Sequence, residues 1–283
     1  MSELLSVLQE NTSFFTAATV TLALGIVTYY YLYGSATSAR RAVLKKTEYQ
    51  KFPLTSKQNV SHNTRLFRFS LPSPKDRLGL PAGWHLSVRG FVDGKEVRRP
   101  YTPVSSDDDL GFFDLVIKVY PEPYGAMSRY LDSLKIGDTL EVRGPVGRFQ
   151  YSRNKYKQLC MIAGGTGITP MWQLFQAILK DPADNTKVSL IFANVTEKDI
   201  LLRDELDTLK ETESSFEVYY VLNEPPSDWK GGVGFVTEKH ILHQFGSANS
   251  DFLYCICGPP PMTKAMKICL TKIGCTDAQI YKF

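Results

Sequence analysis

The stretch from Leu159 to Pro170 reads Leu-Cys-Met-Ile-Ala-Gly-Gly-Thr-Gly-Ile-Thr-Pro and decides the fold of the C-terminal half of the chain. Its apolar first half predicts a buried strand, and a helical pattern follows from Met171 to Lys180. Glycines at a strand-to-helix turn let the backbone approach a pyrophosphate, and the helix N-terminus offers unpaired N–H groups there. Gly165-Thr166-Gly167 therefore predicts a dinucleotide-binding turn, although a plain tight turn in an α/β domain would have the same pattern.

Strand-like and helical patterns continue to alternate after this turn. Further strands are predicted from Val188 to Ala193, Phe216 to Leu222 and Tyr254 to Cys257. Helices are predicted from Ile200 to Glu211 and from Met262 to about Ile273. Strands that alternate with helices are typical of a parallel sheet with helices on both faces. Residues 158–283 are therefore predicted to form one α/β domain.

Residues 51–150 carry a different pattern, in which short strand-like runs are separated by Pro and Gly. Thr64 to Leu71 alternates between apolar and polar residues, as a half-buried strand does, and Asp93-Gly94 is a typical hairpin turn. Further strands are predicted from His85 to Val92, Phe113 to Tyr120 and Thr139 to Arg143, and one short helix from Ser128 to Leu134. This succession predicts a small antiparallel β-barrel, which residues 151–157 link to the α/β domain.

The N-terminus differs in kind from the rest of the chain. Residues 13–33 read SFFTAATVTLALGIVTYYYLY, within a longer segment that has no charged residue. A helix of about 20 such residues crosses the hydrocarbon core of a membrane, so we expect a transmembrane anchor between a short tail (1–12) and a linker (34–50). Basic residues follow the apolar run, which favours a cytosolic location for the C-terminal side. A cleaved signal peptide fits less well, because the run is too long and no basic region precedes it.

Composition narrows the class of protein. The 283 residues leave room for about two ordinary domains, and a net charge of +4 gives no support for nucleic-acid binding. The five cysteines form no CxxC pair and show no metal-ligand spacing, which indicates reduced thiols in a cytosolic domain. The four histidines offer no haem-binding domain.

Three further motifs accompany the glycine-rich turn. Arg99-Pro100-Tyr101-Thr102 ends a strand-like run and offers a cation, a flat aromatic face and a small hydroxyl. Gly125-Ala126-Met127-Ser128 begins the short helix, with Ser128 as its expected N-cap. Cys257-Gly258-Pro259 follows a strand and precedes a helix, at the edge where open α/β sheets bind ligands.

In this order the four motifs resemble those of the two-domain flavin reductases of the ferredoxin–NADP reductase type, and most of all the NADH–cytochrome b5 reductases. The resemblance covers about residues 47–283. It implies an FAD-binding barrel over residues 51–150 and an NADH-binding domain over residues 158–283. It also implies that NADH gives a hydride to FAD and that electrons then pass singly to cytochrome b5, a conversion that a flavin provides.

The resemblance further assigns roles to individual residues. Arg99 is expected at the FAD diphosphate, Tyr101 against the isoalloxazine ring and Thr102 near flavin N5. The residues expected to bind FAD or NADH are Arg99, Pro100, Tyr101, Thr102, Val116, Lys118, Tyr120, Gly125, Met127, Ser128, Gly165, Thr166, Gly167, Thr169, Pro170, Asn223, Cys257, Gly258, Pro259 and Met262. Among them Thr102, Lys118 and Cys257 are also expected to serve catalysis, in a site that aligns the nicotinamide with the flavin.

Three positions depart from common patterns. Pro170 stands where the GxGxxG fingerprint has its third glycine, as in the resembled family. Ala126 stands where many relatives have Lys, so one charged contact to the FAD diphosphate is missing. Asn223 stands where several relatives have Asp; an amide still binds a ribose hydroxyl but repels a 2′-phosphate less, so NADH is favoured by the family and not by this residue.

Two other functions remain open. The chain could be an NAD(P)H-dependent reductase of another one-electron acceptor, such as an iron protein of the diphthamide pathway, or a non-catalytic, membrane-tethered nucleotide-binding module. The intact Arg99, Tyr101, Thr102 and glycine-rich turn argue against the second alternative. A moderately apolar anchor with basic flanks suits the mitochondrial outer membrane or the endoplasmic reticulum, with the catalytic domains in the cytosol.

Overall fold

The first of two sheets is antiparallel and is built from the N-terminal half of residues 41–283, the part of the chain that the computed structural model describes. Its strands are β1 (Gln50–Ser61), β2 (Thr64–Ser70), β3 (His85–Val92), β4 (Lys95–Tyr101), β5 (Phe112–Lys118) and β6 (Thr139–Val146). They lie in the order β4-β3-β6-β1-β2-β5, and every neighbouring pair is antiparallel. The antiparallel prediction for this half is confirmed.

This sheet wraps around a single apolar core. The rings of Phe52 on β1 and Phe113 on β5 meet edge to face at 5.4 Å across the intervening β2. The end strands β4 and β5 are not paired with each other in this order, but just after β4 the N–H of Val104 donates to the carbonyl of Asp114 at 2.9 Å. The sheet therefore forms a barrel with a seam between β4 and β5, and the strand edges at that seam are open over most of their length.

Local sequence signals account for much of this half. Asp93 and Gly94 have φ values of 51° and 73°, which suits the two-residue turn that joins β3 and β4. The predicted hairpin is confirmed. The strand predicted from Phe113 to Tyr120 ends at Lys118 instead, because after β5 the chain turns toward the next helix. Tyr120 thus lies in a loop, where its side chain is exposed.

The second sheet is parallel throughout. Its strands are β7 (Gln158–Gly164), β8 (Lys187–Asn194), β9 (Phe216–Leu222), β10 (Gly232–Val233), β11 (Phe252–Cys257) and β12 (Ile280–Lys282). They lie in the order β10-β9-β8-β7-β11-β12. The parallel α/β prediction is confirmed, and the carboxyl ends of β9, β8, β7 and β11 form one continuous edge.

The helices, numbered along the chain, connect these strands. They are α1 (Ala126–Ser133), α2 (Ile168–Leu179), α3 (Arg203–Thr212), α4 (Glu238–Phe245) and α5 (Pro260–Lys272). Single 3₁₀ turns occur at Gly165–Gly167, Glu197–Asp199 and Asp277–Gln279. Both faces of the parallel sheet are covered, since Leu190 and Phe192 of β8 point into one core and Ile191 points into another.

The chain before β1 already packs against the antiparallel sheet. Val43 is buried, and its N–H donates to the carbonyl of Leu78 at 3.3 Å. Within residues 41–283 no helix is long and apolar enough to cross a membrane. The predicted tail (1–12) and anchor (13–33), with most of the predicted linker, lie outside the described residues.

Candidate functional site

The residues predicted around the Arg99 motif lie on the seam of the antiparallel sheet. Arg99 is exposed on the edge strand β4, opposite Val88 of β3. Its guanidinium donates to the carbonyl of Arg98 at 2.7 Å and has no carboxylate partner among residues 41–283. Pro100 is exposed on the same edge, which suits a residue that has no N–H to donate. The seam thus presents an uncompensated cation to solvent.

Tyr101 and Thr102 follow Arg99 where β4 ends. Burial raises the pKa of the Tyr101 hydroxyl to about 12, and both Arg99 and Tyr120 lie close enough to influence its charge. Tyr101 therefore stays a neutral hydroxyl at all physiological pH values, with a partly exposed side chain. Thr102 is also partly exposed. Arg99, Tyr101, Thr102 and Tyr120 are thus brought together at one end of the seam.

Strand β5 supplies the other side of the seam. Val116 is 7% exposed and packs into the core of the parallel sheet. Lys118 ends β5, and its Nζ lies 3.0 Å from the Oδ1 of Asp199, which follows β8 in the parallel sheet. The glycine-rich turn at 165–167 also contacts β5. The antiparallel and parallel sheets therefore meet where β5, with its predicted site residues Val116 and Lys118, adjoins the predicted dinucleotide turn.

Helix α1 begins at Gly125, and the prediction that Ser128 is its N-cap is wrong. Gly125 is the N-cap, with a φ of 70°, and a Cβ there would lie 2.6 Å from the Cβ of Tyr120. The Ser128 hydroxyl accepts from the N–H of Tyr120 at 3.1 Å and donates to the carbonyl of Gly125 at 3.0 Å, so it fixes the loop before the helix. Met127 is buried in the antiparallel core, which leaves only its backbone for a ligand.

The start of α1 suits an anion. The helix has no side-chain cap and no acidic residue in its first turn, so its first N–H groups lack partners within the helix. The partial positive charge of those groups favours a phosphate. Ala126 has no charged side chain, so it adds no charge at this helix start. The backbone of the helix start is consequently the group that can hold a diphosphate.

The glycine-rich turn occupies the carboxyl end of β7. Gly165 has a φ of 53°, and a Cβ there would meet no protein atom within 4 Å. The following helix α2 has no side-chain cap and no acidic residue in its first turn. Pro170 is buried in that turn, and the Thr169 hydroxyl donates to the carbonyl of Thr166 at 3.2 Å. The turn therefore combines open space above a glycine with a second uncapped helix start.

The Cys257 motif lies directly beside this turn. A Cβ on Gly167 would lie 2.6 Å from the carbonyl carbon of Cys257, and a Cβ on Gly164 would lie 3.2 Å from the Cδ of Pro259. A Cβ on Gly258 would lie 3.1 Å from the Sδ of Met262. The two strand ends approach so closely only because these positions are glycine. Two motifs that are distant in sequence thus form one floor of the candidate site.

The Cys257 thiol is partly exposed at this floor. Burial raises the pKa of the thiol to about 11, although a hydrogen bond from the backbone of Gly258 and the charge of Lys282 lower it. The side chain is therefore a neutral thiol at physiological pH. A thiolate is the nucleophilic form of cysteine, so the protonated Cys257 is a weak nucleophile at physiological pH.

Asparagines end the next two strands of the same edge. The N–H of Asn223 after β9 donates to the carbonyl of Asn194 at 3.1 Å, and the Asn223 side chain is partly exposed. Asn194 ends β8 and is only 7% exposed, yet neither its amide nitrogen nor its amide oxygen has a hydrogen-bond partner among the described residues. A buried amide without partners is costly, and its position at the ligand-binding edge suits a group completed by a ligand.

Two family profiles match the chain. The oxidoreductase FAD-binding domain family matches residues 51–151, and the oxidoreductase NAD-binding domain family matches residues 161–267. The FAD-binding profile spans the antiparallel strands, and the NAD-binding profile spans most of the parallel sheet. Together they cover more than half of the chain.

Proteins with similar sequences identify the family to which the chain belongs. NADH-cytochrome b5 reductase 1 of Dictyostelium discoideum is 53% identical over 85% of this chain and 83% of its own length. The chain belongs to the NADH–cytochrome b5 reductase family. The reductase of the same name from Scheffersomyces stipitis is 50% identical over 92% of this chain and 91% of its own length. The solved cytochrome b5 reductase domain of Ulva prolifera nitrate reductase has a TM-score of 0.81 at 35% identity, over 86% of this chain and all of that domain.

The residues at the seam fit an FAD, as membership of the cytochrome b5 reductase family implies. Arg99 offers a guanidinium without a carboxylate partner, and the start of α1 offers N–H groups without an acidic neighbour. Both groups complement a diphosphate. Tyr101 offers a neutral, partly exposed ring of the kind that stacks against a flat heterocycle. Gly125 lets the Tyr120 loop pass close to the start of α1, where a side chain would collide with Tyr120.

The carboxyl edge of the parallel sheet fits NADH in the same family. Gly165 leaves open space beside the uncapped start of α2, and the buried amide of Asn194 lacks partners. Asn194 and Asp199 were not predicted from the sequence to belong to the site. A polar residue at the end of an apolar strand was the available signal for Asn194, and the Thr196-x-x-Asp199 capping-box spacing was the signal for Asp199. Neither signal reveals a ligand site until the sheet is assembled.

The C-terminal Phe283 has a packing role in this reductase fold. Its ring lies 5.4 Å from that of Phe149 and 4.8 Å from that of Tyr281, and its N–H donates to the carbonyl of Ile256. His243 likewise packs its ring 5.1 Å from that of Tyr219. Cys255 is fully buried in the core. These contacts pack the C-terminus, His243 and Cys255 against the parallel sheet.

Proposed function

We propose that this protein is an NADH-dependent flavoprotein reductase that delivers electrons one at a time to cytochrome b5. The observation that carries the proposal is the contact between β5 of the antiparallel sheet and the glycine-rich turn of the parallel sheet. That contact brings the candidate flavin-binding seam against the candidate dinucleotide edge. A hydride donor and its acceptor must lie within about 3.5 Å for transfer, and this meeting of two edges supports such an alignment.

The residues of the seam would hold the flavin by three kinds of contact. Arg99 and the N–H groups at the start of α1 would bind the diphosphate, Tyr101 would lie against the ring system, and the Thr102 hydroxyl would donate to a ring nitrogen. Bound FAD supplies the exchange between the two-electron chemistry of nicotinamide and the one-electron chemistry of a cytochrome. The protein supplies binding, orientation and exclusion of water.

The residues of the carboxyl edge would hold the dinucleotide. The start of α2 and the open backbone at Gly165 would receive the pyrophosphate. Asn194 and Asn223 would bind hydroxyl or amide groups along the same edge. Cys257 would border the nicotinamide as a neutral thiol, since its raised pKa of about 11 removes a competing charge from the pocket.

Cytochrome b5 as the acceptor rests on the family, because the relatives of Dictyostelium discoideum and Scheffersomyces stipitis carry that name. The acceptor is proposed to be a separate haem protein, in keeping with the names of these relatives. Other one-electron acceptors, including iron proteins, are outcomes of the test below.

Residues 13–33 would anchor the enzyme in the mitochondrial outer membrane or the endoplasmic reticulum, with the two sheets in the cytosol. The support for this part is the uncharged apolar run and the basic residues after it. Confinement of enzyme and acceptor to one membrane raises their effective concentration. Fractionation of cells that express the full chain, with protease protection of each terminus, tests the location and the orientation together.

The central experiment uses the full-length protein in detergent. We expect a flavin absorption band that NADH bleaches more readily than NADPH, followed by reduction of added cytochrome b5. A bleached flavin with no reduction of cytochrome b5 would retain the flavoenzyme and reject this acceptor, and a panel of iron proteins would then be compared. A protein that binds no FAD under any condition would reject the whole proposal and favour a non-catalytic nucleotide-binding module.

A further inference from the structure

An ion pair joins the two sheets beside the candidate site. The Nζ of Lys118, at the end of β5, lies 3.0 Å from the Oδ1 of Asp199, in the turn after β8. The Lys118 side chain is 21% exposed and the Asp199 side chain is 8% exposed. A pair with so little solvent around it is screened less than a surface pair. Its geometry is therefore expected to affect the site that it borders.

Asp199 is held in place independently of Lys118. Its other oxygen, Oδ2, accepts from the Thr196 hydroxyl at 2.7 Å and from the Thr196 N–H at 3.0 Å. Burial alone would raise the pKa of this carboxyl, but the hydrogen bonds from Thr196 and Lys118 outweigh burial and lower the pKa to about 2. The carboxylate is consequently a charged, fixed point in the turn.

Lys118, in contrast, is held by Asp199 alone. An ammonium group has three N–H donors on a flexible stem, and Asp199 is the one hydrogen-bond partner of this ammonium among residues 41–283. The two remaining donors are thus available at the place where β5 contacts the glycine-rich turn. This contact at the tip restricts the rotamers that the lysine stem can adopt.

We propose that Asp199 is a positioning residue for the dinucleotide: it holds Lys118 in one orientation, so that the two free N–H groups of Lys118 meet oxygen atoms of bound NADH. Asp199 itself makes no contact with NADH in this arrangement. The inference rests on the proposed function, because it assigns Lys118 to the NADH side of the site. It goes beyond that function by making the ligand affinity of the parallel sheet depend on a side chain of the antiparallel sheet.

A second ion pair offers a matched control. Lys180 at the end of α2 lies 3.4 Å from Asp108, which belongs to the antiparallel half of the chain. This pair also joins the two halves, but its side chains are 45% and 69% exposed and it lies apart from the glycine-rich turn. Exposed pairs contribute little. An effect of Asp199 that comes merely from joining the two halves should appear at Asp108 as well.

The test measures NAD⁺ binding to the FAD-loaded, full-length protein by calorimetry, together with KM and kcat for NADH using ferricyanide as acceptor. We expect Asp199→Asn to weaken NAD⁺ binding about tenfold and to raise KM for NADH similarly, because a charge-assisted hydrogen bond is lost. The turnover number should change by less than about threefold, since the residue acts on binding. Asp108→Asn should leave both measurements within about twofold of the parent.

The decisive comparison is made in a Lys118→Met background. If Asp199 acts through Lys118, Asp199→Asn should have no further effect on NAD⁺ affinity in that background. An equal loss in both backgrounds, or a loss also seen in Asp108→Asn, would overturn the proposal. Should Asp199→Asn fail to fold, Thr196→Val tests the same idea, because it removes one of the two hydrogen bonds by which Thr196 holds the carboxylate. It should weaken NAD⁺ binding in the parent and leave it unchanged in Lys118→Met.

These binding measurements are independent of the acceptor. A protein that binds FAD and NAD⁺ but does not reduce cytochrome b5 would contradict the proposed function while still testing Asp199. Conversely, normal reduction of cytochrome b5 with unchanged NAD⁺ affinity in Asp199→Asn would reject the positioning role and leave the proposed function intact.

Discussion

The substitution Gly167→Ala tests the close approach of the glycine-rich turn to the Cys257 motif at the floor of the candidate site. Gly167 does not have a positive φ, so alanine adds no backbone strain there. The added Cβ would lie 2.6 Å from the carbonyl carbon of Cys257 and closer still to its carbonyl oxygen, whereas ordinary contacts begin near 3.4 Å. The two backbones must therefore separate by about 1 Å, because both neighbours are backbone atoms.

Two effects follow from that separation. Overpacking of a well-packed site costs about 1–3 kcal/mol of folding free energy. A displacement of about 1 Å between a bound substrate and its reaction partner can lower the rate roughly 100-fold. We therefore expect kcat/KM for NADH with ferricyanide to fall between about tenfold and 100-fold, while the protein stays folded and retains FAD, since the seam of the antiparallel sheet is unchanged.

The assay compares kcat/KM, the FAD absorption band and the melting temperature for the parent and two variants. Gly144→Ala is the matched control, because a Cβ there meets its nearest neighbour at 3.4 Å and no positive φ is involved. That variant should keep kcat/KM within about twofold. A folded Gly167→Ala protein with parental kcat/KM would refute the reasoning, because it would mean that the spacing of the two strand ends does not control the reaction.

Other predictions concern single side chains. Arg99→Ala should weaken FAD binding about tenfold by fluorescence titration, whereas its ion-paired neighbour Arg98 should be replaceable by Ala with little effect. Asn194→Leu should weaken NAD⁺ binding several-fold without loss of melting temperature, because the buried amide has no protein partner to lose; unchanged affinity would assign this amide to an internal water. The pKa of Cys257, raised to about 11, should leave its thiol protonated and slow to alkylate up to about pH 9, and pH-independent alkylation at a fast rate would contradict that. The pKa of Asp199 is lowered to about 2 from the usual 3.8. Its contribution to the stability of the folded protein should therefore be complete above about pH 5 and be lost as the pH falls through 2. A melting-temperature profile in which Asp199→Asn converges on the parent above about pH 4 would contradict this sign.

Local patterns in the sequence account for most of the architecture. The hairpin turn at Asp93-Gly94 and the strand-to-helix turn at 165–167 are properties of short segments, because φ preferences and side-chain periodicity act over a few residues. The alternation of β8, in which Leu190 and Ile191 face different cores, follows from the same periodicity. Such signals predicted one antiparallel and one parallel sheet correctly.

Two local patterns in the loop between β5 and α1 are resolved by contacts within that loop. Ser128 has the residue type of an N-cap, but its hydroxyl holds the Tyr120 loop while Gly125 begins the helix. Tyr120 continues an apolar run, but the chain leaves the sheet before reaching it. In both cases local propensity offered two solutions, and packing of the loop between β5 and α1 selected one.

Residue types alone predicted the antiparallel and parallel sheets, the two candidate nucleotide-binding turns and the candidate residues, because each depends on short-range geometry. The tertiary structure alone decided which of those residues meet. Gly167 touches the backbone of Cys257 because β7 and β11 are neighbours in the sheet, and Lys118 finds Asp199 across 81 residues because the two sheets pack edge to edge. Ion pairs and close backbone contacts act over only a few ångströms, so their partners are fixed by the order of strands and the packing of sheets, which no local pattern specifies.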